Sequence, residues 1–168
     1  SETNERTIIS MMVGKTVEDF HFIKERKIGE TVLEVRGLSK ENKYKDISLS
    51  LHAGEALGFY GLVGSGMASV AKSIFGGESF DTGEILINGK PASIKTPRDG
   101  IRNSISFLPE DRKSEGLAIL LDVETNINLA SYKNISKVGF INIKKEKKNA
   151  HTYIDKLRIK TPSLKQRV

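Results

Sequence analysis

Polar and apolar residues alternate with two distinct periods along this chain. From Lys45 to Leu51 the period is two: Ile47, Leu49 and Leu51 fall on one face and Asp46, Ser48 and Ser50 on the other. That pattern predicts a half-buried strand. Thr31 to Val35 alternates enough to predict another. Leu57-Gly58-Phe59-Tyr60 is an apolar run bounded by glycine, too brief for a helix, and predicts a buried strand. After Gly66 the period lengthens, with Val70, Ile74 and Phe75 on one helical face, Ala68 and Ala71 in its early turns, and Gly76-Gly77 to end it. Gly83 to Asn88 predicts a strand closed by an Asn88-Gly89 turn. Thr96-Pro97 predicts a helix start, with Thr96 as cap and a run to Arg102. A strand is predicted over Ile105 to Leu108, and Asp122 is placed to cap a helix from Glu124 to Tyr132. Ile143 to Leu157 predicts a lysine-rich helix that buries Ala150, Ile154 and Leu157. Near the start, Ile8, Ile9, Met11 and Met12 form the apolar face of a helix over residues 3 to 13, stopped by Gly14.

Composition narrows this picture. A chain of 168 residues with 38% hydrophobic and 29% charged residues can bury one sizeable core and is not disordered. The longest near-apolar run, Ala56 to Gly64, is far too short to cross a bilayer. The amino terminus is polar, lacks a signal-peptide pattern and begins with Ser, which reads as a piece of a longer chain. The absence of cysteine excludes a disulfide framework and a thiolate metal site, and suits a cytoplasmic protein. The histidines lack ligand-spaced partners, so no metal site is expected. Charge is uneven: residues 133 to 168 hold eleven Lys or Arg against two acids, a net +9, and residues 1 to 132 carry −3. Such a basic tail suits nucleic acid, a membrane surface or a solvated helical face. Without interleaved aromatics or a nucleic-acid module, the solvated face is expected and nucleic acid is not.

The candidate chemistry lies between Leu57 and Phe75. Strand, glycine-rich turn and helix is the arrangement that turns backbone N–H groups around a phosphate at a helix N-terminus. Gly61 and Gly66 take the glycine places of G-x-x-x-x-G-K-[ST]. Met67 stands where the lysine would reach the phosphates, and Ala68 where a hydroxyl would ligate Mg²⁺. Ser69 points about 100° away from that direction and Lys72 lies further along the helix. Two other readings stay open: a tight turn that needs glycine for its backbone angles, and a dinucleotide fingerprint starting at Gly64-Ser65-Gly66. The fingerprint lacks the small residue expected at Ser69 and the acid expected at Asn88. Leu108-Pro109-Glu110-Asp111-Arg112-Lys113 is a charged loop at a predicted strand end, where α/β sheets bind ligands, or else a solvated loop with local ion pairs. Ala118 to Asp122 imitates an apolar run ending in a Mg²⁺-holding acid, against which stands the capping role of Asp122.

Taken together these residues resemble the second nucleotide-binding domain of bacterial carbohydrate ABC importers of the ribose, galactose and xylose type. The resemblance is carried by Ile9 to Gly14, Ala53 to Gly58, Gly61-Leu62-Val63-Gly64-Ser65-Gly66, Pro109 to Lys113 with Glu115-Gly116-Leu117, Asn126-Ile127, and Ile159 to Ser163. It covers the chain from Thr7 onward. It implies an α/β fold: a partial ABC-type P-loop NTPase domain, with an antiparallel β layer, an incomplete P-loop core sheet and flanking helices. Residues 1–14 would be the tail of a preceding ATPase domain, 15–30 a linker and 31–168 the N-terminal part of the domain.

The resemblance also implies a site. Tyr44 lies where an aromatic residue stacks on adenine. Gly61, Gly64, Ser65, Gly66, Met67, Ala68 and Ser69 occupy the phosphate loop, and Glu110 the place of a glutamine that senses Mg²⁺ and water. The whole subunit would bind ATP and Mg²⁺ and couple hydrolysis to sugar uptake. It would sit at the cytoplasmic face of the cell membrane with permease subunits, a partner ATPase domain and, indirectly, a periplasmic sugar-binding protein. Met67-Ala68 departs from the Arg-Thr common in this family, so binding here is expected to be weak or absent. The chain stops before the family's signature motif, acidic pair and switch histidine. No catalytic residue and no hydrolysis are therefore expected of it, and an exposed sheet edge is expected to make it self-associate. The alternative is a structural module that supports its partners without binding nucleotide. The transporter reading leans on Leu57 to Tyr60 lying in the core sheet and on the Gly61–Gly66 amides sharing one centre.

Overall fold

The computed structural model describes Ile8, Met11, residues 27–62 and residues 64–168. The helix expected over 3–13 and most of the expected linker lie outside these residues; Ile8 and Met11 themselves are helical and exposed. Two compact units are present, one up to Phe107 and one from Leu108.

In the first unit, β1 (Thr31–Lys40) and β2 (Tyr44–His52) pair as an antiparallel hairpin. As predicted, Ile47, Leu49 and Leu51 turn inward while Ser48 and Ser50 face solvent. β1 runs five residues past the predicted end at Val35 because the alternation slips there. Val35 and Leu38, three apart, are both buried across a bulge at Gly37, whose N–H donates to Ser48 Oγ at 2.9 Å. α1 (Met67–Phe75) follows, then β3 (Thr82–Ile87) and β4 (Lys90–Pro91). The sheet order is β2-β1-β3-β4, antiparallel throughout. Asn88 and Gly89, at φ 49° and 73°, make the tight turn between β3 and β4 that their sequence predicts. α1 lays Val70 and Ile74 into a core with Val35, Leu38, Tyr44, Ile85 and Ile94. It stops at Gly76, which is left-handed, with the Gly77 N–H donating to Lys72 O at 2.8 Å. α2 (Pro97–Arg102) starts at Thr96, whose N–H and Oγ1 both donate to Asp99 Oδ2, at 3.0 and 2.8 Å.

Two predicted strands are absent. Leu57–Tyr60 and Ile105–Leu108 have no strand conformation, and Phe59, Tyr60 and Leu108 are exposed. Both sides of β1 are already taken by β2 and β3, and among the described residues no strand lies beside either segment. An apolar run without a ladder partner has no means of satisfying its backbone as a strand. Phe107 packs instead by stacking on Phe75, ring centroids 5.6 Å apart.

The second unit opens on a wide turn of π type, Arg112–Gly116, capped by Asp111, which accepts from the N–H groups of Lys113 and Ser114 at 2.9 and 3.1 Å. α3 (Val123–Asn128) is capped by Asp122 as predicted, with the Thr125 N–H donating to Oδ1 at 2.8 Å. The helix expected to reach Tyr132 breaks after Asn128 into a 3-10 turn, Leu129–Ser131, and a short α4 (Tyr132–Ile135). A two-residue hairpin, β5 (Ser136–Lys137) and β6 (Phe140–Ile141), leads into α5 (Ile143–Leu157). α5 has the predicted bounds and buries Ala150, but Ile154 is only half-buried and Leu157, the last residue of the helix, is 68% exposed. The chain end returns to α3: the Val123 N–H donates to Gln166 O at 2.9 Å and the Glu124 N–H to Leu164 O at 3.0 Å. Glu124, only 1% exposed, meets Lys165 Nζ at 2.8 Å through an Oε2 that has no other polar partner among the described residues. Asp122 Oδ2 lies 3.1 Å from the same ammonium. Asp122→Ala should cost about 1 kcal/mol through loss of the cap, read as a lower urea midpoint with unchanged slope.

Candidate functional site

The glycine-rich loop is held by backbone conformations that only glycine adopts easily. Gly64 and Gly66 are left-handed at φ 87° and 86°, whereas Ser65 between them is not. The Ser65 N–H donates to Leu62 O at 3.0 Å. A β-carbon on Gly66 would land on the Lys43 carbonyl oxygen, so the turn between β1 and β2 packs directly against the loop. Ser65 and Met67 close over Gly61: a β-carbon there would stand 2.8 Å from Ser65 Oγ and 3.3 Å from Met67 Sδ. The Ser65 N–H, bonded to Leu62 O, is spent inside the loop and is not offered to a ligand. α1 begins at Met67 with Gly66 as its cap, no side-chain cap bond and no acid in its first turn. The N–H groups of Ala68 and Ser69 have no acceptor among the described residues, and the first helical bond is Val70 N–H to Gly66 O at 3.0 Å. Open N–H donors at the positive end of a helix dipole suit an anion.

The side chains fit less of a nucleotide than the backbone does. Met67 offers a thioether in place of an ammonium, and Ala68 offers no oxygen to Mg²⁺. Ser69 is one of the groups that offset burial and favour the charged form of Glu78. Tyr44, 8% exposed, is packed in the core with its O–H donating to Ser73 Oγ at 2.6 Å. Burial pushes its phenol up. Its backbone lies beside Gly66, but its ring is not a free platform. Glu110 belongs to the second unit, where it is exposed next to the capping Asp111.

Sequence reasoning missed the residues around the loop. Lys43 Nζ meets Glu78 Oε1 at 2.6 Å and Lys40 Nζ meets it at 3.5 Å. These lysines flank the β1–β2 turn, where Ser39–Lys45 line an open groove of about 380 Å³. A Glu directly after a helix-ending Gly-Gly carries no recognisable pattern. Burial works against the charge on Glu78, but Lys43, Ser69 and Lys40 outweigh it and hold its pKa below the ordinary value. Asp111 and Asp122 are also held low, each chiefly by a neighbouring hydroxyl, Ser114 and Thr125 respectively. A carboxylate whose folded pKa is depressed adds stability above its unfolded pKa, and that stability is lost as pH falls through the folded value. The urea midpoint should therefore hold from neutral pH to about pH 5 and fall steadily below it. Glu78→Gln should flatten part of that fall.

A family model described as ABC transporter matches residues 44–168. The chain belongs to the ABC transporter family. Among similar proteins, ribose import ATP-binding protein RbsA 3 of Rubrobacter xylanophilus is 41% identical over 167 residues, 99% of this chain and 33% of that protein. Ribose import ATP-binding protein RbsA of Clostridium tetani is 43% identical over 166 residues, 98% of this chain and 33% of that protein. A candidate ribose/galactose/methyl galactoside import ATP-binding protein of Agrobacterium fabrum is 42% identical over 163 residues, 96% of this chain and 32% of that protein. The chain thus spans about a third of the length of the curated relatives it matches. It is a partial domain of P-loop NTPase fold, with an antiparallel sheet and flanking helices. Membership rests on this match and not on a core strand at Leu57–Tyr60, which lies outside both sheets. Among the described residues no helix is long and apolar enough to cross a membrane.

Proposed function

We propose that this chain is part of the ATP-binding subunit of a bacterial sugar importer, and that its glycine loop is a weakened phosphate site. The carrying observation is the pair of left-handed glycines opening α1, with the Ala68 and Ser69 N–H groups left for an anion. In this reading Gly61, Gly64, Ser65, Gly66, Met67, Ala68 and Ser69 form the phosphate loop; the Ser65 N–H is spent on Leu62 O, and the open N–H groups of Ala68 and Ser69 make the contact. Tyr44 supports the loop from below, and Glu110 stands at the place of the water-sensing residue. Residues 1–14 belong to a preceding ATPase domain, 15–30 to a linker and 31–168 to this domain. Permease subunits and a second ATPase domain are the partners, at the cytoplasmic face of the membrane. A periplasmic sugar-binding protein acts indirectly. Ala68 offers Mg²⁺ no ligand in this loop.

A second reading, a structural module without nucleotide, is favoured by Met67 closing over Gly61 and by the burial of Tyr44. Calorimetric titration of the purified chain with ATP, beside the variant carrying Met67→Lys and Ala68→Thr, separates the two. A restored charge-assisted phosphate contact is worth about 1.5–3 kcal/mol, so the variant should bind about tenfold to over a hundredfold more tightly. Saturable binding in the parent chain and this gain support a weakened site. Silence from both chains sinks it in favour of the module.

A further inference from the structure

The hairpin between α4 and α5 breaks a local rule. Val138 and Gly139 form its two-residue turn, both left-handed at φ 51° and 83°. Such a turn favours Asn, Asp or Gly at its first position, and a β-branched residue there is strained. Val138 is nevertheless 88% exposed, so no packing in this unit compensates for the strain. Phe140, paired across the hairpin with Lys137, is 81% exposed, and Ile143 at the start of α5 is exposed as well. A strained apolar tip held in solvent points from an observed outlier to an interaction.

Its surroundings specify the kind of partner. Six lysines lie between residues 133 and 148, all exposed, and among the described residues no ion pair engages them. Lys144, Lys147 and Lys148 share one flank of α5, where like charges three and four apart repel. The single acid in this stretch, Glu146, is occupied by the Tyr132 O–H at 2.8 Å. Exposed apolar side chains at a tip and exposed lysines on the segments flanking it are the two signals that together hold a protein at an anionic bilayer surface. Two exposed side chains on a two-residue hairpin offer neither a groove for a peptide nor a stacked platform for bases.

We infer that the Val138–Phe140 hairpin and the adjoining lysines of α5 form a docking surface for anionic lipid headgroups, with Val138 and Phe140 entering the interface. This contact with lipid itself is separate from docking on permease subunits and does not depend on the importer reading. The test is co-sedimentation of the full chain with protein-free vesicles. Vesicles of phosphatidylcholine with about one-third phosphatidylglycerol should bind at least about tenfold better than phosphatidylcholine alone, and high salt should weaken them. Val138→Asn with Phe140→Ser should abolish binding while the chain keeps or raises its urea midpoint, since asparagine relieves the turn. Lys144→Gln with Lys147→Gln and Lys148→Gln should remove the salt-sensitive part. The inference is overturned by absence of binding to the mixed vesicles, by unchanged binding of the Val138/Phe140 variant, or by an equally tight complex with a single-stranded oligonucleotide that the Val138/Phe140 variant retains.

Discussion

Gly66→Ala or Gly66→Asp is expected to destabilise the chain by about 2–6 kcal/mol and to abolish whatever anion binding the loop supports. Two costs add. A left-handed φ of 86° strains any residue with a β-carbon, and that carbon would also land on the Lys43 carbonyl. Backbone of the β1–β2 turn would have to move, carrying Lys43 away from Glu78. Urea unfolding measures the first effect and calorimetry the second. A variant with the parent's midpoint and the parent's affinity would mean that neither the hand of Gly66 nor its closeness to Lys43 matters.

Leu38→Ala is expected to cost about 2–5 kcal/mol, a large part of the total stability of a small domain. Leu38 is fully buried in the middle of the sheet. A β-carbon on Gly83 would stand 2.6 Å from Leu38 Cα, so β1 and β3 already run backbone against backbone. With the main chain fixed on that side, little collapse into the void is possible, which places the loss toward the upper end of the range. Far-UV circular dichroism with urea should show it as a shifted midpoint.

What was legible in the sequence was whatever depends on neighbours along the chain. The alternation of Ile47, Leu49 and Leu51, the Asn88-Gly89 turn, the Thr96-Pro97 start, the Asp122 cap and the bounds of α5 are all decided within a few residues. Leu57–Tyr60 and Ile105–Leu108 have the composition of strands without the conformation, because an apolar run becomes a strand only if a partner runs beside it, and no local signal reports the partner. The bulge at Gly37 hid half of β1 by shifting the alternation a step. At the site, the glycine positions and the missing lysine could be read directly. The burial of Tyr44, by contrast, followed from its packing against Val70 and Ile74 on a helix more than twenty residues away. Lys43 and Glu78 meet across a similar separation, and neither stands in a motif.

Glu124 is sealed inside the second unit while Lys165, its counter-ion, stands largely in water. Their substitution is for that reason unequal. Taking away the lysine strands a buried anion, whereas replacing the acid by glutamine puts a neutral amide in the buried place and leaves the ammonium in solvent beside Asp122. The return of residues 164–168 to α3 thus couples a surface position to the interior of the unit: a change at Lys165 reaches a sealed carboxylate.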